Sequence, residues 1–305
     1  MKIGFHLVKY TFTISLHRVD FIFSKTMGAI LRSILFSLWI IFSSAAHAFM
    51  PQAGTWVLTS EVNGLPGRGI ALDVQNNIFT FSLYAYESSG QPTFYAGAGT
   101  LSDNSGVADL QRFTGGRYLG GASQSASLEK SVGQVRVRFT SGVTGFAQLP
   151  GEAEVAISRY NFGYAAVPSS LNGIWSLSSL GSLGLYADVV SLTVQGSATS
   201  NGNGLVMSSN GLFGCEHQVR GGYAGGVICV KINSSGQLLA AYRFVYSVNE
   251  GEGYSNISGS ADQVMWVRRL TTASGVGTGI ALREENHVTA ENEARVAGYI
   301  QQISQ

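Results

Sequence analysis

Phe79-Thr-Phe-Ser-Leu-Tyr-Ala-Tyr86 alternates without a break: Phe79, Phe81, Leu83 and Ala85 share one face, and Thr80, Ser82, Tyr84 and Tyr86 share the other. Period two of this kind predicts a β-strand with one face in a core and one outside. The same reading extends in both directions. Upstream, Ile70–Val74 alternates and Asn76-Asn77 supplies a turn. Downstream, Ser88–Pro92 breaks the pattern and Thr93–Ala98 resumes it as the hairpin partner. Val135, Val137 and Phe139 then alternate with Gln134, Arg136 and Arg138. Thr140-Ser-Gly142 turns the chain, Gly145–Leu149 returns, and Glu154–Arg159 closes a first β domain placed at 49–163. No helical period competes with the strands in this stretch.

Tyr164–Ser170 loses the period and carries a Pro, which marks a boundary. A second β domain follows at 171–270. It opens with Gly173-Ile-Trp175-Ser-Leu177, an echo of Gly54-Thr-Trp56-Val-Leu58, and Ser234-Ser-Gly-Gln237 echoes Ser88-Ser-Gly-Gln91. The unequal spacing between these marks makes the repeat weak, with a cysteine hairpin as the apparent insertion. Leu238–Val248 and Gln263–Leu270 are its clearest further strands. Residues 271–305 read as a linker over Thr271–Gly279 and a polar, amphipathic helix over Ala290–Gln302, weakened by Gly298. The fold class expected is all-β: two antiparallel β-barrel or sandwich-like units in tandem, with a short C-terminal helix.

Composition and the leader set the compartment. Met27 to Arg32 carries one positive charge, Ser33–Phe42 is a compact apolar block, and Ala46-His-Ala48 is a small-residue cleavage pattern. Together these predict a signal peptide over 1–48, with Met27 as an alternative start. The apolar block is about half the roughly 20 residues a membrane span needs, so no stable span is expected after cleavage. The charged fraction is 12%, about half the usual value, and the 39 glycines suit a chain of many turns. No basic stripe is present, which argues against nucleic acid as a partner. A secreted or periplasmic location also explains the two cysteines, Cys215 and Cys229. They flank the Gly-rich run Gly221–Gly226, so a hairpin centred near Gly222 sets them opposite each other as a disulfide.

Part of the first unit resembles an uncharacterised family of secreted bacterial β-rich proteins over residues 51–160. That family's domain shows a Gly-Trp-Trp-Asn opening, a Gly-Arg-Gly, and a strand ending in Tyr-Asp-x-x-Gly-x-Pro-x-Trp-Tyr. A Leu-Gln-Arg-Tyr/Phe-Thr-Gly-Gly…Leu-Gly-Gly stretch follows. The matching residues here are Gly54 and Trp56, Gly67-Arg68-Gly69, Tyr86–Tyr95 with Gly90 and Pro92, and Leu110–Gly116 followed by Leu119-Gly-Gly121. The chain departs from the pattern at Val57-Leu58, at Phe94, and at Asn63–Pro66, where the family has an acidic residue. The resemblance implies a secreted β domain and no activity.

Chemistry-bearing motifs are few. No G-x-S-x-G, H-E-x-x-H or P-loop occurs, and no residue is nominated as catalytic, metal-ligating or cofactor-binding. His217 reads as a strand-surface histidine and His287 as part of the polar tail. Glu152/Glu154 and Glu250/Glu252 are the acid pairs glycoside hydrolysis would need, and equally suit solvated strand ends. The weak ligand-binding candidates are Arg68, Tyr84, Tyr86, Phe94 and Tyr95. The rings could stack on sugars or apolar ligands, or fill a core. Arg68 could hold an anion, or bond a turn carbonyl. The functional expectation is a non-catalytic binding or envelope-associated module whose partner is a glycan or an envelope protein. The alternative is a hydrolase of cell-wall or extracellular polymer. An outer-membrane barrel is disfavoured by the short strands and the polar C-terminal stretch.

Overall fold

Alternation along the first unit becomes eight antiparallel strands. They are β1 (Gly54–Leu58), β2 (Gly69–Gln75), β3 (Ile78–Tyr86), β4 (Pro92–Ser102), β5 (Ser105–Thr114), β6 (Ser127–Phe139), β7 (Thr144–Gln148) and β8 (Glu154–Arg159). Each pairs with the next, and β1 pairs with β8, so the meander closes into a barrel. The structure is a computed structural model that describes residues 50–182, 184–276 and 287–305. The expected signal peptide and the last part of the expected linker lie outside the described residues.

The barrel interior is solid. Trp56, Phe79, Phe81, Leu83, Leu110, Val135, Val137 and Ile157 converge with their neighbours in one buried cluster. Full packing here depends on two close strand approaches. A Cβ at Gly99 or Gly106 would fall within 2.7 Å of the Phe79 ring, so both positions need glycine to admit that ring. Asn104 and Asp103 take positive φ at the β4–β5 hairpin, where a two-residue turn demands it.

The second sheet contains β9 (Gly173–Gly181), β10 (Gly184–Leu192), β11 (Val194–Gln195), β12 (Gly202–Met207), β13 (Phe213–Gln218), β14 (Val227–Ile232), β15 (Leu238–Ser247), β16 (Glu250–Ile257) and β17 (Gln263–Thr271). Their order is β10-β9-β17-β16-β15-β14-β13-β12-β11. β10 and β11 are nearly continuous, yet β10 pairs with β9 whereas β11 pairs with β12. The sheet therefore curls towards a second barrel but, among the described residues, is bridged at that seam only through Val194 and Gln195, and β10 has no described strand on its outer edge. Its inner face holds Trp175, Leu177, Phe213, Cys215, Cys229, Phe244 and Val267.

The expected repeat has a structural counterpart. Trp56 and Trp175 open their sheets, and each donates its indole N–H to the carbonyl four residues earlier, Gln52 at 2.9 Å and Leu171 at 2.7 Å. Each also faces an arginine on the closing strand, Arg159 and Arg269, whose guanidinium bonds carbonyls just before or at the start of that opening strand.

The cysteine hairpin has the expected register: Cys215 is paired with Cys229 across β13 and β14, and the two form a disulfide. The tail forms helix α1 (Ala290–Ile303), with the Thr289 hydroxyl capping the Asn292 N–H at 3.1 Å. Val296 and Ile300 are buried against Leu205, Met207, Ile228 and Val230, on the outer side of β12–β14. β13 and β14 are thus covered on both faces. All described strands and this one short helix give the all-β class expected from the alternation.

Candidate functional site

Tyr84 on β3 lies directly opposite Phe94 on β4, and Tyr86 opposite Pro92. The inward positions of β3 are filled by Phe79, Phe81 and Leu83, so the even-numbered residues project outward. Tyr84 is 55% exposed and Phe94 49% exposed, and Tyr86 is comparably open. Phe113 on β5 and Leu128 on β6, a further cross-strand pair, are also exposed. Three of the four aromatic candidates therefore share one exposed face of the barrel, the outcome opposite to core filling. Tyr95 is not among them. It follows Phe94 on one strand, so it points the other way, and it packs against the barrel core.

Arg68 precedes Gly69, which pairs with Tyr84, but it is already engaged. Its Nε donates to Glu61 at 3.0 Å and its Nη1 to Glu152 at 2.6 Å. Those hydrogen bonds, Glu61 first, push the guanidinium pKa upward and hold Glu61 below the usual carboxylate range. With two carboxylates around it, Arg68 has its charge compensated, and its role is to clamp the β1–β2 loop to the β7–β8 turn.

The acid pairs are separated in the same way. Glu152 is tied to Arg68, Glu154 pairs with Arg138 at 2.8 Å, and Glu250 faces Arg268 at 3.6 Å. Glu252 differs. It accepts the Gly142 main-chain N–H from the β6–β7 turn, and burial pushes its carboxyl above the usual range against that hydrogen bond. Glu252 lines a cleft of about 520 Å3 where Thr140 and Ser141 of the first barrel meet Tyr223, Arg243, Tyr254 and Asp262 of the second sheet. Arg243 bonds both Asp262 and the Tyr223 hydroxyl there. Sequence reading missed this cleft because its walls come from turns and strands more than eighty residues apart.

His217 corrects the surface expectation. It is 6% exposed and lies on the inner face of the second sheet. Its Nε2 shares a hydrogen bond with the Tyr246 hydroxyl at 2.9 Å, and the two rings stack with centroids 5.7 Å apart. Burial, helped by the nearby Arg269 charge, lowers its pKa from 6.5 to about 4, so the ring is neutral at pH 7. Beside it Arg269 is sandwiched between Trp175, 4.2 Å from the ring centroid, and Tyr164, at 4.6 Å. It donates to the Asn172 and Ser170 carbonyls at 2.7 and 2.5 Å. The alternation Gln263, Met265, Val267, Arg269 was the signal that Arg269 faces inward. His287 lies exposed, its main-chain N–H bonded to Ser209. Among the described residues no three His, Cys, Asp or Glu converge as metal ligands, and no helix is long and apolar enough to cross a membrane.

Compared with known proteins, the chain matches no protein-family model, no curated protein and no solved structure.

Proposed function

We propose that this is a secreted or periplasmic, non-catalytic binding module whose first barrel holds a glycan chain on its outer aromatic face. The observation that carries the reading is the cross-strand pair Tyr84–Phe94, exposed on a barrel whose interior is already filled. A solid barrel has no internal ligand chamber, so any ligand must be read from outside. Exposed rings in register offer a flat apolar surface, and the Tyr84 and Tyr86 hydroxyls add polar contacts. A sugar ring presents C–H groups on its face and hydroxyls on its rim, which fits that arrangement. The leader pattern and the Cys215–Cys229 disulfide support an oxidising compartment.

Affinity electrophoresis through gels containing soluble polysaccharides, with sedimentation against insoluble cell-wall polysaccharide, tests the proposal. Retardation should occur with at least one polymer and fall tenfold or more in a Tyr84→Ala/Phe94→Ala double variant. Trp266→Ala, on an exposed face of the other sheet, should bind as wild type. Equal binding by the double variant overturns the reading.

A second reading, hydrolysis of such a polymer, is favoured by one arrangement: Glu252, raised by burial, and Asp262, ion-paired with Arg243, line the same cleft. Release of reducing ends that is abolished in Glu252→Gln would select it.

A further inference from the structure

At the outer edge of β10 the second sheet departs from the first barrel's closed plan. In the first barrel the second strand, β2, is paired on both sides, with β1 and β3. Among the described residues its counterpart β10 is paired only with β9, because the chain switches partners at Thr193 and it is β11 that pairs with β12. Which main-chain groups are left over follows from register. Gly181 and Gly184 flank the β9–β10 turn and form the first pair of that hairpin. A pair closing a two-residue turn exchanges hydrogen bonds, and the pattern alternates from there. Gly184, Tyr186 and Asp188 therefore spend their N–H and C=O groups on β9. Leu185, Ala187 and Val189 direct theirs outward from the sheet edge.

Devices that normally blunt such an edge are absent from it. Gly184–Leu192 carries no Pro, no Lys and no bulge. Its single charge, Asp188, points to the inner face and is already compensated by Lys231 at 2.6 Å and by the Tyr242 hydroxyl. On the outer face Leu185 is 76% and Val189 68% exposed, and they adjoin exposed Leu180 on β9 and Trp266 on β17.

We propose that the chain dimerises by antiparallel pairing of β10 with β10 of a second copy, about a two-fold axis at Ala187. This register is self-complementary. It sets Ala187 against Ala187 of the other copy and Leu185 against its Val189, all residues whose main-chain groups face outward. The same register joins the apolar outer faces of the two copies and brings no like charges together. A foreign strand would satisfy the same edge; a second copy does so with its own exposed Leu185 and Val189 and with no like charges opposed. The proposal is independent of the aromatic face on the first barrel.

Sedimentation velocity over a wide concentration range, on protein secreted from the full coding sequence, reads the assembly state. A dimer that dissociates on dilution is expected. A Leu185→Lys/Val189→Lys variant should remain monomeric, with the thermal midpoint that the wild type shows at dilutions where it is itself monomeric, since both side chains are exposed. Register is read by cross-linking. Directly opposed Ala187 positions have Cα atoms about 5.5 Å apart, within the roughly 4.4–6.8 Å a disulfide spans. Ala187→Cys should therefore be trapped as a covalent dimer. Leu185→Cys places its thiols about 13 Å apart and should not be. A monomer at every concentration overturns the proposal. So does a dimer that survives the double Lys variant, or one that cross-links at position 185 as readily as at 187.

Discussion

Acidification should destabilise this protein through His217, and the size of the effect can be worked from its surroundings. The ring lies inside the second sheet against Tyr246, with the Arg269 guanidinium close by, and its pKa is about 4 against 6.5 for a free histidine. Between those two values the unfolded chain takes up a proton that the folded chain refuses. Stability from this group is therefore fully present above pH 6.5, lost as pH falls towards 4, and unchanged below that. At about 1.4 kcal/mol per pH unit, the gap comes to roughly 3 kcal/mol. Urea denaturation followed by tryptophan fluorescence at pH 7, 6, 5 and 4 measures the loss. His217→Gln supplies the control: it keeps a hydrogen-bonding group near Tyr246 but does not titrate. Glu252 and the other carboxylates titrate in both proteins and cancel in the comparison. Wild type should lose about 3 kcal/mol more than the variant between pH 7 and pH 4. Parallel profiles would refute the reasoning, since they would mean that His217 accepts its proton without opening the sheet.

Arg269→Lys should cost about 2–4 kcal/mol in the same assay, because an ammonium cannot stack between Trp175 and Tyr164 while bonding both the Ser170 and Asn172 carbonyls. Arg159→Lys, the more exposed counterpart on the first barrel, should cost clearly less; equal losses would deny that the burial of Arg269 matters. Replacing Cys215 and Cys229 together by Ala should lower stability by about 3 kcal/mol, read as a lower urea midpoint, since the bridge closes a loop with a sequence separation of 14. An unchanged midpoint would mean that the β13–β14 register holds without the bridge.

The exposed site was legible in its local part. Alternation put Tyr84 and Tyr86 on one face of β3, but whether that face met a core or water was open. Closure of the barrel decided it, because the opposite face alone fills the interior. Tyr95 was misplaced by being grouped with Phe94, although strand geometry sends adjacent residues to opposite sides. His217 was misread for a related reason. A single polar residue beside Cys215 says nothing about the curl that wraps its face, and that curl depends on β9 meeting β17 across most of the unit.

By itself, then, the sequence determined the all-β class, the two faces of β3, the register of the Cys215–Cys229 hairpin and the short C-terminal helix. Each of these is set by neighbours within one strand, one turn or one hairpin, where backbone geometry leaves few choices. Only the tertiary structure decided that β1 closes onto β8 while β10, among the described residues, keeps an open edge, that Arg269 and His217 are buried, and that Glu252 meets Gly142 across the two sheets. Those outcomes depend on pairings between segments far apart in the chain, which period-two alternation permits but does not choose.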